Sequence, residues 1–356
     1  MYKIAFAAGG TLGHVYPSYP IIELLKNKDN SKILYFSDSK QYKYIKNNKY
    51  VDQIYLLNVE GFKRKLTLKN IKVAFAYIKS YYRCRRILKK ERVDLVIGFG
   101  GYTSLPVVNA AIKLKIKTAI HEQNSAYGLA NSLLKNKVDL VLNSYEIDDK
   151  SKLVFNPRIS EYYYKYYHLV PKINDIENTV LVLGGSLGAE KINELVISLK
   201  DEFISRKIKV KLVTGRKYYN NNIDIINKNN CEYLTIYPFL ENVYEHLVEA
   251  KVVVSRSGAT TISEILGLRK ISLLIPSPNV TNNHQYKNAK GLVEKKMALL
   301  LEENQMNKDS FLDKINILLN DSELRKNIEK NIKNNINVNA SYLFYNEIKK
   351  ILGEKC

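Results

Sequence analysis

His14 stands at the end of Gly9-Gly10-Thr11-Leu12-Gly13-His14, where an apolar run meets a glycine turn and Pro17 opens a helical stretch. An imidazole held at such a turn is a candidate general base, because its unperturbed pKa lies close to neutrality; a hydrogen-bonded structural histidine is the competing reading. His121, Glu122, Gln123 and Asn124 follow one another where a second apolar run ends. Burying four polar side chains without partners is costly, so they should line a wet cleft or satisfy loop backbone. The His-Glu pair is not a metal motif, since no second His stands four residues on, and no Asp-x-Asp cluster occurs. Neither a metal nor a cofactor is expected.

The second half offers a matching set. Ser186 follows Gly184-Gly185 at a helix start, where a hydroxyl and backbone amides suit a phosphate. Residues 255–265, SRSGATTISEI, bend at Gly258 and begin a helix at Thr260 and Thr261, with Glu264 one turn in. A carboxylate there suits a vicinal diol such as a ribose; compensation of the helix dipole is its plain structural role. Asn283, His284 and Gln285 precede another helix, and their polar side chains suit sugar hydroxyls or ordinary turn chemistry.

Short β-branched runs must carry these turns. Candidate strands cover 3–8, 32–37, 53–58, 93–98, 117–121 and 138–143, with amphipathic segments between them, the rhythm of a parallel α/β sheet. The rhythm falters across the tyrosine-rich stretch 161–178, where the junction is placed. It restarts at 180–183, 209–214, 233–237, 252–255 and 271–275. Each half opens with a glycine-rich strand-to-helix turn, so the expectation is two doubly wound, Rossmann-like domains facing across a cleft, with ligands at the carboxyl ends of the strands. The boundaries expected are 1–160 and 161–340, with 341–356 a helix free to pack back on either domain, the first being the one favoured. The first turn is not G-x-G-x-x-G, and Asp38 lies well beyond the usual spacing of about 20 residues, which disfavours a dinucleotide.

At 356 residues, 46% of them hydrophobic, the chain has enough apolar material for two cores. The net charge of +21 is unevenly spread: residues 1–158 hold 28 Lys and Arg against 12 Asp and Glu, and the remainder 28 against 23. Residues 63–92 alone carry 12 basic side chains and one acid, Glu91, which indicates a basic surface patch. Three cysteines without metal or redox spacing suit a reduced cytosolic chain. The uncharged stretches 4–22 and 95–112 are broken by Gly and Pro, and the start lacks a signal-peptide pattern, so no spanning helix is expected.

In order and register, GGTLGH, GGYTSLP, HEQNSAYGLAN, GGSLGAEKIN, SRSGATTISE and HQYKNA resemble the MurG family, over residues 9–289. That resemblance implies a GT-B fold and transfer of N-acetylglucosamine from UDP-GlcNAc to lipid I, undecaprenyl-diphosphate-MurNAc-pentapeptide, giving lipid II with inversion. It assigns Thr11, Leu12, Gly13 and Asn124 to the surroundings of sugar and acceptor. Ser186, Leu240, Ala259, Thr260, Thr261, Ile262, Ser263 and Glu264 would hold UDP, with Glu264 on the ribose and Gln285 on the GlcNAc. Arg158, in a shortened Asn-Pro-Val-Arg segment, would meet the diphosphate or uracil side. His14 is the expected base, with Glu122 as competitor or orienting partner. Leu12, Leu187 and Tyr127 depart from the family's glycine, glutamine and proline. Rival readings within the fold are a diacylglycerol glycosyltransferase and a UDP-GlcNAc epimerase.

Residues 62–92 interleave Phe62, Leu66, Leu68, Ile71, Phe75, Ile78, Tyr81 and Tyr82 with the basic side chains, the composition of an interfacial segment. Each Lys or Arg near an anionic bilayer contributes about 1 kcal/mol, enough in sum for peripheral attachment on the cytoplasmic side. The alternative is an ordinary helix with a solvated basic face. A nucleic-acid-binding protein is the reading from another class; the charge lies beside apolar and aromatic residues with no recognised module, so nucleic acid is not expected as a partner.

Overall fold

The computed structural model describes residues 1–61, 68–172, 176–184 and 189–353. The chain divides into two units, Met1–Ser160 with Asn339–Cys356, and Glu161–Val338.

In chain order the first unit holds β1 (Lys3–Ala7), α1 (Leu12–Val15), α2 (Tyr19–Asp29), β2 (Lys32–Ser37), α3 (Tyr42–Ile45), β3 (Gln53–Leu56) and α4 (Leu68–Glu91). There follow β4 (Leu95–Gly98), α5 (Gly101–Lys113), β5 (Lys117–Glu122), α6 (Leu129–Leu134), β6 (Leu140–Asn143) and β7 (Lys152–Leu153), then α7 (Arg158–Tyr166), which carries the chain into the second unit. All strand pairs are parallel, in the order β3-β2-β1-β4-β5-β6-β7. The order reverses between β1 and β4, so the turns leaving β1, β4 and β5 are neighbours at the carboxyl edge of the sheet.

The second unit holds β8 (Thr179–Leu183), α8 (Glu190–Ser198), α9 (Lys200–Ser205), β9 (Lys209–Val213), α10 (Arg216–Asn221), α11 (Ile223–Asn229), β10 (Leu234–Tyr237) and α12 (Val243–Glu249). It continues through β11 (Val252–Ser255), α13 (Ala259–Gly267), β12 (Ile271–Leu274), α14 (His284–Glu294), β13 (Leu299–Leu300), α15 (Lys308–Asn320) and α16 (Ser322–Asn335). Its parallel sheet runs β10-β9-β8-β11-β12-β13, with the reversal between β8 and β11. The last helix, α17 (Ala340–Ile351), belongs to the first unit.

Period-two alternation explains the first unit's layers. Ile4 and Phe6 of β1 face one core with Ile21, Ile22 and Leu25 of α2 and Phe344 and Ile348 of α17. Ala5 and Ala7 face the other, with Cys84 and Leu88 of α4 and Val107, Val108 and Ala111 of α5. Both faces of the central strands are therefore covered, as a parallel sheet requires. Asp29 ties α17 to α2, accepting from Tyr345 Oη at 2.9 Å and lying 3.2 Å from Lys349 Nζ.

The stretch after Glu161 is more regular than the sequence suggested. α7 spans Arg158–Tyr166, with Ile159 and Tyr162 buried and Tyr166 stacked on Tyr244 at 4.0 Å. Spacings of three and four residues mark a helical stripe whose apolar members are largely tyrosines. β7 and β13, two residues each, pair only at sheet edges and carry no alternation to read.

Candidate active site

In the first unit the β1–α1 turn is fastened from the neighbouring strand. Gly10 N donates to Asp38 Oδ2 at 2.6 Å, and Asp38 Oδ1 accepts from the backbone of Lys40 and Gln41 at 2.9 and 3.2 Å. Gln41 Nε2 returns to Gly10 O at 3.3 Å. Asp38, weighed in the sequence only as a nucleotide-binding acid, is thus the clasp of the glycine turn. Thr11 is exposed, while Leu12 and Gly13 are half-buried in the first turn of α1. His14 Nδ1 donates to Gly9 O at 2.9 Å, with Thr11 Oγ1 at 3.2 Å.

The loop after β5 is a different kind of object. Glu122 is buried, and its Oε1 accepts from Asn124 N and Asn124 Nδ2, both at 3.1 Å. Its Oε2 accepts from Gly128 N at 2.9 Å and Asn131 Nδ2 at 2.8 Å. One carboxylate therefore gathers both ends of the 124–128 loop. Gln123 Nε2 donates to Phe99 O at 3.0 Å, joining the β4 and β5 turns. His121 is fully buried between the rings of Phe99 and Phe344, with Nε2 3.2 Å from Ser144 Oγ, and desolvation pushes its pKa down to about 3. Of the two roles open to this polar run, His121, Glu122 and Gln123 take the satisfying of backbone; Asn124 alone is partly exposed. Tyr127 Oη accepts from Asn143 Nδ2 at 2.9 Å, and Lys135 Nζ sits 4.4 Å over its ring, so this departure from the family serves to moor the loop.

Arg158 is buried at the start of α7. Its N donates to Asn156 Oδ1 at 3.1 Å and its guanidinium lies 5.1 Å over the Tyr16 ring, beside α1.

In the second unit Gly258 caps α13, and Ala259, Thr260 and Thr261 precede the first intrahelical bond, from Ile262 N to Gly258 O at 3.0 Å. Thr260 and Thr261 are half-buried, and Glu264 follows Thr260 by one turn. Ile262, assigned by resemblance to the nucleotide, buries its side chain in the hydrophobic core, and Ser263 turns its hydroxyl back to Ala259 O at 2.7 Å. Gln285 Oε1 accepts from Ser277 N at 2.9 Å, which fixes the amide plane. Leu240 follows the edge strand β10, with β9 and β8 between it and β11, and packs on the core under Leu247 and Val248. Ser186 and Leu187 lie outside the described residues.

Arg256 was not singled out in the sequence. It pairs with Glu303 and donates to Ile275 O at 3.2 Å and Pro276 O at 3.3 Å, so a largely buried ion pair locks the turn before α13 to the end of β12. An arginine and a glutamate 47 positions apart leave no local signal.

α4 presents Ile71, Phe75, Ile78 and Tyr82, spaced by four, three and four, with between 48% and 69% of each residue exposed. Arg85, Arg86 and Lys89 continue the same exposed stripe. Since α4 leaves β3 and enters β4, its apolar start lies at the sheet edge that carries His14. No described helix is long and apolar enough to cross a membrane.

Residues 4–143 match the glycosyltransferase family 28 N-terminal domain and residues 179–343 the family 28 C-terminal domain. The chain is a family 28 glycosyltransferase of GT-B fold. It is 36% identical, over 98% of its length and 98% of the relative's, to the UDP-N-acetylglucosamine–N-acetylmuramyl-(pentapeptide) pyrophosphoryl-undecaprenol N-acetylglucosamine transferase of Bacillus licheniformis. The crystal structure of Acinetobacter baumannii MurG matches with a TM-score of 0.75 at 22% identity, covering 98% of this chain and 99% of that one. Within family 28, the chain belongs to the MurG family. A crystal structure of UDP-N-acetylglucosamine 2-epimerase shares the fold at a TM-score of 0.71 and 14% identity, over 99% and 97% of the two chains, so architecture alone does not select the reaction.

Proposed function

We propose that the protein transfers N-acetylglucosamine from UDP-GlcNAc to the C4 hydroxyl of the MurNAc sugar in undecaprenyl-diphosphate-MurNAc-pentapeptide, lipid I, forming lipid II. The observation that carries the reading is His14 at the reversal between β1 and β4, its Nδ1 engaged by Gly9 O. Nε2 then takes the hydroxyl proton as the C4 oxygen bonds to the anomeric carbon from the face opposite UDP, and UDP departs with the electron pair of the broken C–O bond. The amides that start α13 stabilise the departing diphosphate. Glu264 bonds the ribose hydroxyls, with Thr260 and Thr261 beside it. Gln285, oriented by Ser277 N, turns its amide nitrogen to the GlcNAc. Glu122, with both oxygens occupied, acts as the holder of Asn124 rather than as a base. Arg158 backs α1 through Tyr16.

The exposed stripe of α4 supports a second element of the reading, reversible attachment to an anionic bilayer, where a polyprenyl acceptor resides. A radiolabelled-donor assay offering lipid I against diacylglycerol tests the proposal. Transfer to lipid I is expected; label on diacylglycerol alone, or epimerised donor without transfer, would refute it. Tight, steeply salt-dependent DNA binding without transfer would move the protein to another class.

A further inference from the structure

One carbonyl decides which nitrogen of His14 carries the proton. Gly9 O lies 2.9 Å from Nδ1, and a carbonyl oxygen only accepts, so Nδ1 bears the hydrogen and the lone pair sits on Nε2. Thr11 Oγ1 accepts or donates equally well and does not reverse this.

The turn from β4 into α5 wraps the same ring. Gly101 has φ +73, and a Cβ there would stand 2.4 Å from Gly9 O and 3.2 Å from His14 Nδ1. Gly100 has φ +87, and a Cβ there would stand 3.1 Å from His14 Cδ2 and 3.4 Å from Nε2. The first contact is against backbone and has nowhere to give. The second lies over the edge of the ring that must meet the substrate.

We propose that Gly100 and Gly101 are positioning residues for His14. Gly101 leaves room for the Gly9 carbonyl to hold Nδ1–H, and Gly100 keeps a side chain of its own off the Nε2 edge. This rests on the reading of His14 as the base. When the acceptor hydroxyl gives its proton to Nε2, the imidazolium keeps its Nδ1–H on Gly9 O, a bond that strengthens as the ring becomes charged. The same carbonyl therefore orients the base and stabilises its protonated form.

Nitrogen-15 NMR of the full chain labelled at its histidines reads the tautomer, with His14 assigned by loss of its signals in His14→Asn. Wild type is expected to show Nδ1–H. Gly101→Ala, checked as folded by its thermal transition, is expected to shift toward Nε2–H, with kcat at least tenfold lower and the donor KM within twofold. Gly100→Ala should keep Nδ1–H and lose kcat by a similar factor. Nε2–H in wild type, a folded Gly101→Ala that keeps Nδ1–H, or a Gly100→Ala enzyme turning over at the wild-type rate would each overturn the proposal. If Gly101→Ala does not fold, the wild-type tautomer and Gly100→Ala decide. Normal turnover in His14→Asn would remove the base reading while leaving the tautomer measurement intact, so the two failures are separable.

Discussion

Phe344 in α17 stacks on Phe99 at the end of β4, with ring centroids 5.6 Å apart and planes 6° from parallel. His121 meets both rings edge-on at 5.4 Å. The last helix of the chain is therefore the floor beneath the turn that holds His14.

Phe344→Ala removes a fully buried ring from that floor. The expected cost is about 3–5 kcal/mol of stability. Urea unfolding checks the stability, and kcat should fall more than the donor KM rises, because the perturbed unit is not the one assigned to UDP. A loss below about 1 kcal/mol would show that the stack is not a support.

His121 gives acid sensitivity a definite sign. Its pKa is lowered to about 3 by burial, so the unfolded chain binds a proton near pH 6.5 that the folded chain refuses. The contribution is full above pH 6.5 and is lost as pH falls from there toward 3, at up to about 1.4 kcal/mol per pH unit. Unfolding free energies between pH 5 and pH 7 should show this slope, and His121→Asn should flatten it.

Glu122 and His14 separate by different readouts. Glu122→Ala strands the donors of Asn124, Gly128 and Asn131, and should lower stability by about 2–4 kcal/mol along with activity. His14→Ala should lower kcat by about 10²–10⁴ with little change in thermal unfolding. The reverse pattern would exchange their roles.

Ile71→Glu with Phe75→Glu places two charges on the exposed apolar stripe of α4. Flotation with anionic vesicles should weaken at least tenfold, while turnover of a short-chain soluble acceptor stays within twofold. Unchanged flotation would move the membrane contact elsewhere.

The strands with β-branched runs and the glycine turns after β1, β4 and β11 were legible because each carries its own local pattern. α7 was not, because tyrosine does not register as an apolar residue until it is seen packed: Tyr162 is buried and Tyr166 stacks on Tyr244. At the candidate site the residue types were legible, and their local hydrogen-bonding and packing were not. Glu122 and Ile262 fall inside motifs that suggest contact with substrate, yet one is consumed by four donors and the other by the core. The bond from Gly10 to Asp38 and the Arg256–Glu303 pair were not legible because the partners lie 28 and 47 positions apart.

The chain leaves the first unit at Ser160 and returns at Asn339. During synthesis, therefore, the half that carries His14 emerges from the ribosome first but cannot close over Phe99 until everything between has been translated. At ~5–20 residues per second that interval is on the order of ten seconds or more. Throughout it, the apolar face that Phe344 and Ile348 cover in the finished unit has no α17 to bury it. A nascent chain broken off within the second unit would never acquire a finished first one, so the order of translation itself withholds the assembled site from incomplete molecules.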